Sequence, residues 1–181
     1  MSEYITVRQM AEFREQKVGT QKVLHLRHPN TITVTLGMNI PGPKKTDCLI
    51  VSAFREGCRA LMDCLAAAGF TAAEKIILEE PAGNAGIFSV DGGKADLEIV
   101  VKQMAVDLEE RHPLGRLFDI DVYDMDGNAV SRQKLGLEER RCLICGGDAR
   151  VCGRSRNHCV EELQQRVYEI IGKWAYGSWR E

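Results

Sequence analysis

The chain has 181 residues, 44% apolar and 28% charged, with a formal net charge of −2. That is the composition of a globular protein, at a length that supports one domain with its own core over residues 1–181. Near charge balance argues against a nucleic-acid binder, which carries a basic surplus. No apolar run approaches the ~20 residues of a membrane helix. The start, Met1-Ser2-Glu3-Tyr4, lacks the basic head and apolar core of a secretory signal, so the seven cysteines are expected as reduced thiols in the cytoplasm.

Residues 6–28 read as one or two helical pieces, with Thr6 as N-cap, a partial stripe of Val7, Met10 and Phe13, and an interruption at Gly19. Thr31 to Ile40 alternates strictly, which predicts a half-buried strand with Ile32, Val34, Leu36, Met38 and Ile40 on one face and Thr33 and Thr35 on the other. Thr46 or Asp47 caps a predicted helix that runs to Ala68, with Gly69 as its stop. Cys48, Cys58 and Cys64 are expected in its core-facing part. Two short strands follow, Lys75 to Glu80 and Gly86 to Val90, then a turn at Asp91-Gly92-Gly93 and a helix from about Lys94 to Arg111. His112, before Pro113, reads as a cation on the last helical turn. Leu117 to Tyr123 is a strand, and Asp126-Gly127-Asn128 turns it into a short return strand at 129–132. A Cys- and Arg-rich segment spans 140–159, and a last helix covers Val160 to Gly172. The order strand, helix, strand, strand, helix, strand predicts an α+β fold. Its core is an antiparallel split βαβ (ferredoxin-like) sheet with both helices on one face, plus N- and C-terminal helices.

In Phe118-Asp119-Ile120-Asp121-Val122, the two aspartates share a face about 6.6 Å apart along a strand. They can converge on a hard cation such as Mg²⁺, which takes oxygen ligands and substrate phosphates. A bare Asp-x-Asp is also the pattern of a solvated edge strand. The split βαβ topology sets the end of the first strand beside the start of the last. This predicts Lys44, Lys45 and Arg116 over the aspartates, with Thr33 and Thr35 on the same open polar face. Cations for phosphate oxygens and carboxylates for a metal are what a polyphosphate requires. Asp124 and Asp126 are candidates for a third carboxylate.

Cys142, Cys145, Cys152 and His158 follow a Cys-x2-Cys-x6-Cys-x5-His spacing, a ligand set suited to structural Zn²⁺, with Cys159 competing with His158. Unliganded reduced cysteines are the other reading. The stretch 140–156 carries Arg140, Arg141, Arg150, Arg154 and Arg156 against Asp148 alone. Arginine forks there suit an anionic nucleotide tail or an acidic carrier protein.

Four segments together resemble one family: Asn39-Ile40-Pro41-Gly42-Pro43-Lys44-Lys45, His112 through Val122, Arg140 through Cys145, and Cys152 through His158 with Glu162-Leu163. They look like the citrate lyase holo-acyl-carrier-protein synthases, the apo-citrate lyase phosphoribosyl-dephospho-CoA transferases. The resemblance implies a nucleotidyltransferase. Such an enzyme moves a prosthetic group from 2'-(5''-triphosphoribosyl)-3'-dephospho-CoA to a serine of the citrate lyase acyl carrier (gamma) subunit and releases pyrophosphate. On that reading Asp119 and Asp121 hold Mg²⁺. Lys44, Lys45 and Arg116 neutralise the leaving group, and Arg154 and Arg156 hold the dephospho-CoA part or the carrier. A non-enzymatic binding module with a zinc-stapled loop is the competing expectation.

Overall fold

The computed structural model describes residues 4–92 and 96–177. Helix α1 (Val7–Arg27) starts with a reciprocal capping box between Thr6 and Gln9 and runs unbroken through Gly19. Strand β1 (Ile32–Met38) leads to helix α2 (Cys48–Ala67), whose first free N–H groups, those of Leu49 and Ile50, are accepted by the Asp47 carboxylate. Strands β2 (Thr71–Glu80) and β3 (Gly83–Asp91) form one long hairpin, several residues longer than their apolar runs suggest. Helix α3 (Leu97–Arg111) and a 3₁₀ turn (Gly115–Leu117) precede strand β4 (Phe118–Tyr123). Helices α4 (Ala149–Ser155) and α5 (Val160–Gly177) are the last of the described elements. The expected helix start at Lys94 and the turn residue Gly93 lie outside the described residues.

The sheet is antiparallel with order β2-β3-β1-β4, the split βαβ arrangement. Even-numbered residues of β1 and β4 meet α2, α3 and α5 in the main core, which includes Val34, Leu36, Phe54, Leu61, Phe88, Val101, Phe118, Ile120 and Ile171. Gly57 is required in α2 because a Cβ there would lie 2.7 Å from Cε1 of Phe118. Gly115 is likewise required, since a Cβ would run into the carbonyl oxygens of Leu108 and Glu109 at the end of α3.

The second face of the sheet is not open. Helix α1 packs across it, against β1, β2 and β3. Its Leu24 is fully buried, as are Ala85 and Ile87 of β3. Val7 points to solvent instead, at 79% exposed.

Several local expectations give way. Cys48 is exposed, and Cys58 and Cys64 are only half-buried beside the core, because they flank the buried stripe of α2. His112 faces Leu114 and the Glu56 carboxylate, 3.5 Å from its Nε2. Its Nδ1 accepts the Leu114 N–H at 3.1 Å, and burial pushes its pKa down. The return strand after Asp126 is a single bridge, Tyr123 to Ala129, followed by a 3₁₀ turn. Within that turn Asp124 Oδ1 accepts from the N–H groups of Asp126 and Asn128, and Oδ2 from the Asn128 amide, so its carboxylate is engaged in the turn.

Candidate functional site

The alternation of β4 sends Phe118, Ile120 and Val122 into the main core and sets Asp119 and Asp121 on the α1 face. The register of β1 with β4 pairs Gly37 with Asp119, Thr35 with Asp121 and Thr33 with Tyr123. The two aspartates therefore share a face with the two threonines. Thr33 and Thr35 are buried, and their hydroxyls have no hydrogen-bond partner among the described residues. Asp119 is half-exposed at 53%. Burial pushes the pKa of Asp121 up, and the nearby charge of Asp119 pushes it further, while Lys17 and Lys102 pull it down.

A clamp from α3 holds the peptide between the acids. Ile120 donates its N–H to Oε1 of Glu109 at 2.9 Å, and its carbonyl accepts from the Lys102 ammonium at 3.0 Å. Both α3 side chains are buried, and Arg132 pairs with the other Glu109 oxygen. β4 is an edge strand, so its outer backbone groups would otherwise lack partners. Buried charges from a neighbouring helix supply them.

Cations surround the acids, though not all are the expected ones. Lys45 donates to the Ile40 carbonyl at 2.6 Å and lines a cleft of about 270 Å³ that also includes Asp119, Arg14 and Lys17. Burial lowers the pKa of Lys45, and Arg14 lowers it further. Arg140 donates to Asp119 Oδ1 at 3.1 Å and to the Phe118 carbonyl. Lys44 faces elsewhere: it pairs with Asp47 at 2.8 Å and lies over the Tyr168 ring of α5. Arg116 donates to the Arg141 carbonyl at 2.6 Å and lines a separate cleft of about 500 Å³ with Arg166, Lys173 and Trp174. Backbone topology did bring the end of β1 to the start of β4, with Asn39 N–H on the Leu117 carbonyl at 2.8 Å. Side-chain direction then split the expected cationic set.

Arg14 and Lys17 of α1 were missed in the sequence. The signal for Lys17 is the inward stripe of α1: Met10, Phe13, Lys17, Gln21, Leu24 and His25 keep near three-to-four spacing and half or more burial, yet three of the six are polar; Arg14 is exposed beside it and carries no such signal. Such a stripe faces a polar surface. Gln21 accordingly hydrogen-bonds Tyr123.

Cys142, Cys145, Cys152 and His158 offer ligand atoms that all lie within 4.8 Å of one another, an arrangement that can hold a metal ion. Cys159 is excluded from it: its N–H and Sγ engage Glu162 as the cap of α5. The N–H of Gly147 and the neighbouring His158 hold the Cys145 thiol down, to about 6. Arg156 lines an adjacent cavity of about 580 Å³ with Asn39, Pro41 and the buried members of the cluster, while Arg154 is exposed and does not line it. No helix among the described residues is long and apolar enough to cross a membrane.

By fold, then, this is an α+β protein of the split βαβ kind, with a polar cleft roofed by its N-terminal helix. Residues 5–174 match the family described as apo-citrate lyase phosphoribosyl-dephospho-CoA transferase (CitX). A probable enzyme of that name from Vibrio cholerae serotype O1 (strain M66-2) is 32% identical over 166 residues, covering 92% of this chain and 91% of that protein. The enzyme of that name from Escherichia coli (strain SMS-3-5 / SECEC) is 31% identical over 167 residues, covering 92% and 88%. The chain belongs to the CitX family and is a transferase enzyme.

Proposed function

We propose that this enzyme transfers the 2'-(5''-phosphoribosyl)-3'-dephospho-CoA group from its triphosphoribosyl precursor to a serine of the apo-citrate lyase acyl carrier subunit. The serine oxygen forms a bond to the α-phosphorus. The bond from that phosphorus to the bridging oxygen breaks, its electrons leave with pyrophosphate, and the serine proton is released. Family membership supports the reaction, and one observation carries its placement: Asp119 lines a cleft with Arg14, Lys17 and Lys45 and pairs with Arg140, while Asp121, on the same face, lies behind it in the field of Lys17 and Lys102.

The donor set suits Mg²⁺. Two carboxylates and the buried hydroxyl of Thr35, the residue paired with Asp121, are hard oxygen donors, and burial first, then the charge of Asp119, pushes Asp121 up, so a cation between the acids would offset that cost. Bound to Asp119 and Asp121, the ion supplies Lewis-acid polarisation of a phosphoryl oxygen. Lys45, Arg14 and Lys17 then take the growing charge of the pyrophosphate. Arg140 reaches Asp119 from the outer side and orients its carboxylate. Arg156, at the mouth of the 580 Å³ cavity, suits an anionic part of the dephospho-CoA moiety or of the carrier, and the Cys/His cluster beside it takes Zn²⁺.

The test mixes enzyme, apo-carrier, precursor and Mg²⁺ and weighs the carrier by mass spectrometry. The expected result is a gain equal to the phosphoribosyl-dephospho-CoA group, lost in Asp119→Asn while carrier binding persists. Undiminished transfer by a variant lacking both aspartates rejects the placement, and an unmodified carrier with the native enzyme rejects the reaction.

A further inference from the structure

The Cys/His cluster sits in a segment with little apolar burial of its own, Leu143 being half-buried against the main core. Across residues 141–160, the only buried side chains are Cys142 and Cys152, both of them members of the cluster. A stretch of that kind needs a staple to keep one conformation.

Its backbone is nonetheless arranged to aim the ligands. A bridge between Arg141 and Asp148 closes a tight loop, within which the Cys142 N–H donates to the Gly147 carbonyl and Gly146 takes the left-handed conformation at φ +71°. That loop carries Cys142 and Cys145. Asp148 then caps α4 through the N–H groups of Arg150 and Val151, which places Cys152 in the first turns of that helix. The turn after α4 brings in His158, whose Nε2 is buried with no hydrogen-bond partner among the described residues. The sulfurs of Cys145 and Cys152 are 3.5 Å apart, too far for a bond. Thiolates held on tetrahedral zinc by bonds of about 2.3 Å sit at roughly this separation. Three sulfurs and one nitrogen fill all four positions, as in a structural site rather than a catalytic one.

The same loop delivers Arg140. The Arg140 carbonyl accepts the Ala149 N–H at 3.1 Å, two residues before the first ligand, and its guanidinium sits on Asp119 and the Phe118 carbonyl. Arg116 ties the next carbonyl, that of Arg141, to the base of β4. We infer that a Zn²⁺ held by Cys142, Cys145, Cys152 and His158 is what fixes the 140–149 loop, and that its occupancy sets the position of Arg140 against Asp119. Arg140 is on this account a positioning residue. The inference concerns the metal and the loop, so it goes beyond the transfer reaction and stands or falls apart from it.

The experiment uses the full chain prepared under reducing conditions. Metal analysis is expected to give close to one zinc per chain, and Co²⁺ exchange to give the visible bands of a tetrahedral thiolate site, lost in Cys145→Ser and in His158→Ala. Hydrogen exchange is then compared before and after chelation. Removing zinc is expected to speed exchange several-fold in 139–159 and also in 116–121, with 83–91 unchanged as a control. Arg140→Gln should keep its zinc and still show the faster exchange at 116–121. Substoichiometric zinc with no cobalt bands overturns the metal site. Exchange changes confined to 139–159 overturn its coupling to Asp119. Neither readout uses transfer, so an inactive but zinc-loaded protein with coupled exchange rejects the proposed reaction and leaves this inference intact.

Discussion

On the α2/α3 face of the sheet, Val34, Leu36, Phe88, Phe118 and Ile120 are each at most 1% exposed. Their immediate chain neighbours on the other face include Thr33, Thr35, Asp119 and Asp121. Both faces are covered by helices, but the first is apolar and the second carries polar and charged side chains. On the first, burial of large side chains gains about 25 cal/mol per Å². On the α1 face, buried hydroxyls without partners among the described residues and an acid with a raised pKa oppose folding. One strand can thus anchor the fold with its even residues and present chemistry with its odd ones, and changes on the two faces should separate stability from transfer.

The sharpest break is Asp121→Asn. Transfer should fall by about 10²–10³-fold, the scale of removing one electrostatic group from a polar site. Stability should move the opposite way. Burial and Asp119 raise the folded pKa of Asp121 above its unfolded value of 3.8, so the charged form is penalised in the native state. That penalty is complete above the folded pKa and vanishes as the pH drops below 3.8. The variant should therefore melt higher than the native protein at pH 7, and the gap should shrink toward pH 4. A lower melting temperature at pH 7 would show that Asp121 supports the fold.

The reciprocal change is Phe54→Ala, beneath the sheet on the dry face, where the side chain is fully buried. It should cost about 3–5 kcal/mol in denaturant unfolding. At temperatures where the variant stays folded, transfer should be near native. A loss of transfer out of proportion to the unfolded fraction would mean that the two faces are mechanically coupled.

Asp47→Ala tests the edge of the dry layer. Asp47 caps α2, pairs with Lys44 and accepts the Tyr168 hydroxyl at 2.6 Å. Burial acts to raise its pKa, but Lys44, Tyr168 and the Ile50 N–H together bring it below 3.8. Losing the cap should cost about 1 kcal/mol. The depressed pKa gives the sign with pH: the wild-type advantage is present above 3.8 and disappears as the pH falls through the lower folded value. Melting curves of the two proteins should converge in that acid range, and a difference that is constant with pH would count against the pairing.

The fold was legible because its signals are backbone-level. Strict alternation in 31–40, the Asp47 cap and the Gly69 stop, and the element order all survive as β1, α2 and the β2-β3-β1-β4 sheet. The acid pair was legible for the same reason, since alternation alone puts Asp119 and Asp121 on one face. The cations were legible only in part, Lys45 being expected and Arg14 and Lys17 not. A lysine stem lets Lys44 turn to Tyr168 while its neighbour Lys45 lines the cleft, and no spacing rule distinguishes them. The roof over the cleft was also hidden, because a helix with a polar inward stripe lacks the apolar periodicity by which helices are usually oriented. In the cysteine segment the four ligand identities, His158 included, were read from the spacing, and the α5 cap explains why the competing Cys159 stays out.

The smallest expected effect is the most discriminating. Thr35→Val swaps a fully buried hydroxyl for a methyl group at the position paired with Asp121. If the hydroxyl is unpartnered in the folded enzyme, its loss removes a desolvation cost, and stability should be unchanged or improved by up to about 1 kcal/mol. The same change deletes an oxygen donor from the face that carries the acids. It should therefore raise the Mg²⁺ concentration needed for half-maximal transfer while leaving the rate at saturating Mg²⁺ near native. A destabilisation beyond about 1 kcal/mol would mean that the hydroxyl is satisfied and structural. The polar face would then be a self-contained network, and the contrast between the two faces would be one of composition without a difference in purpose.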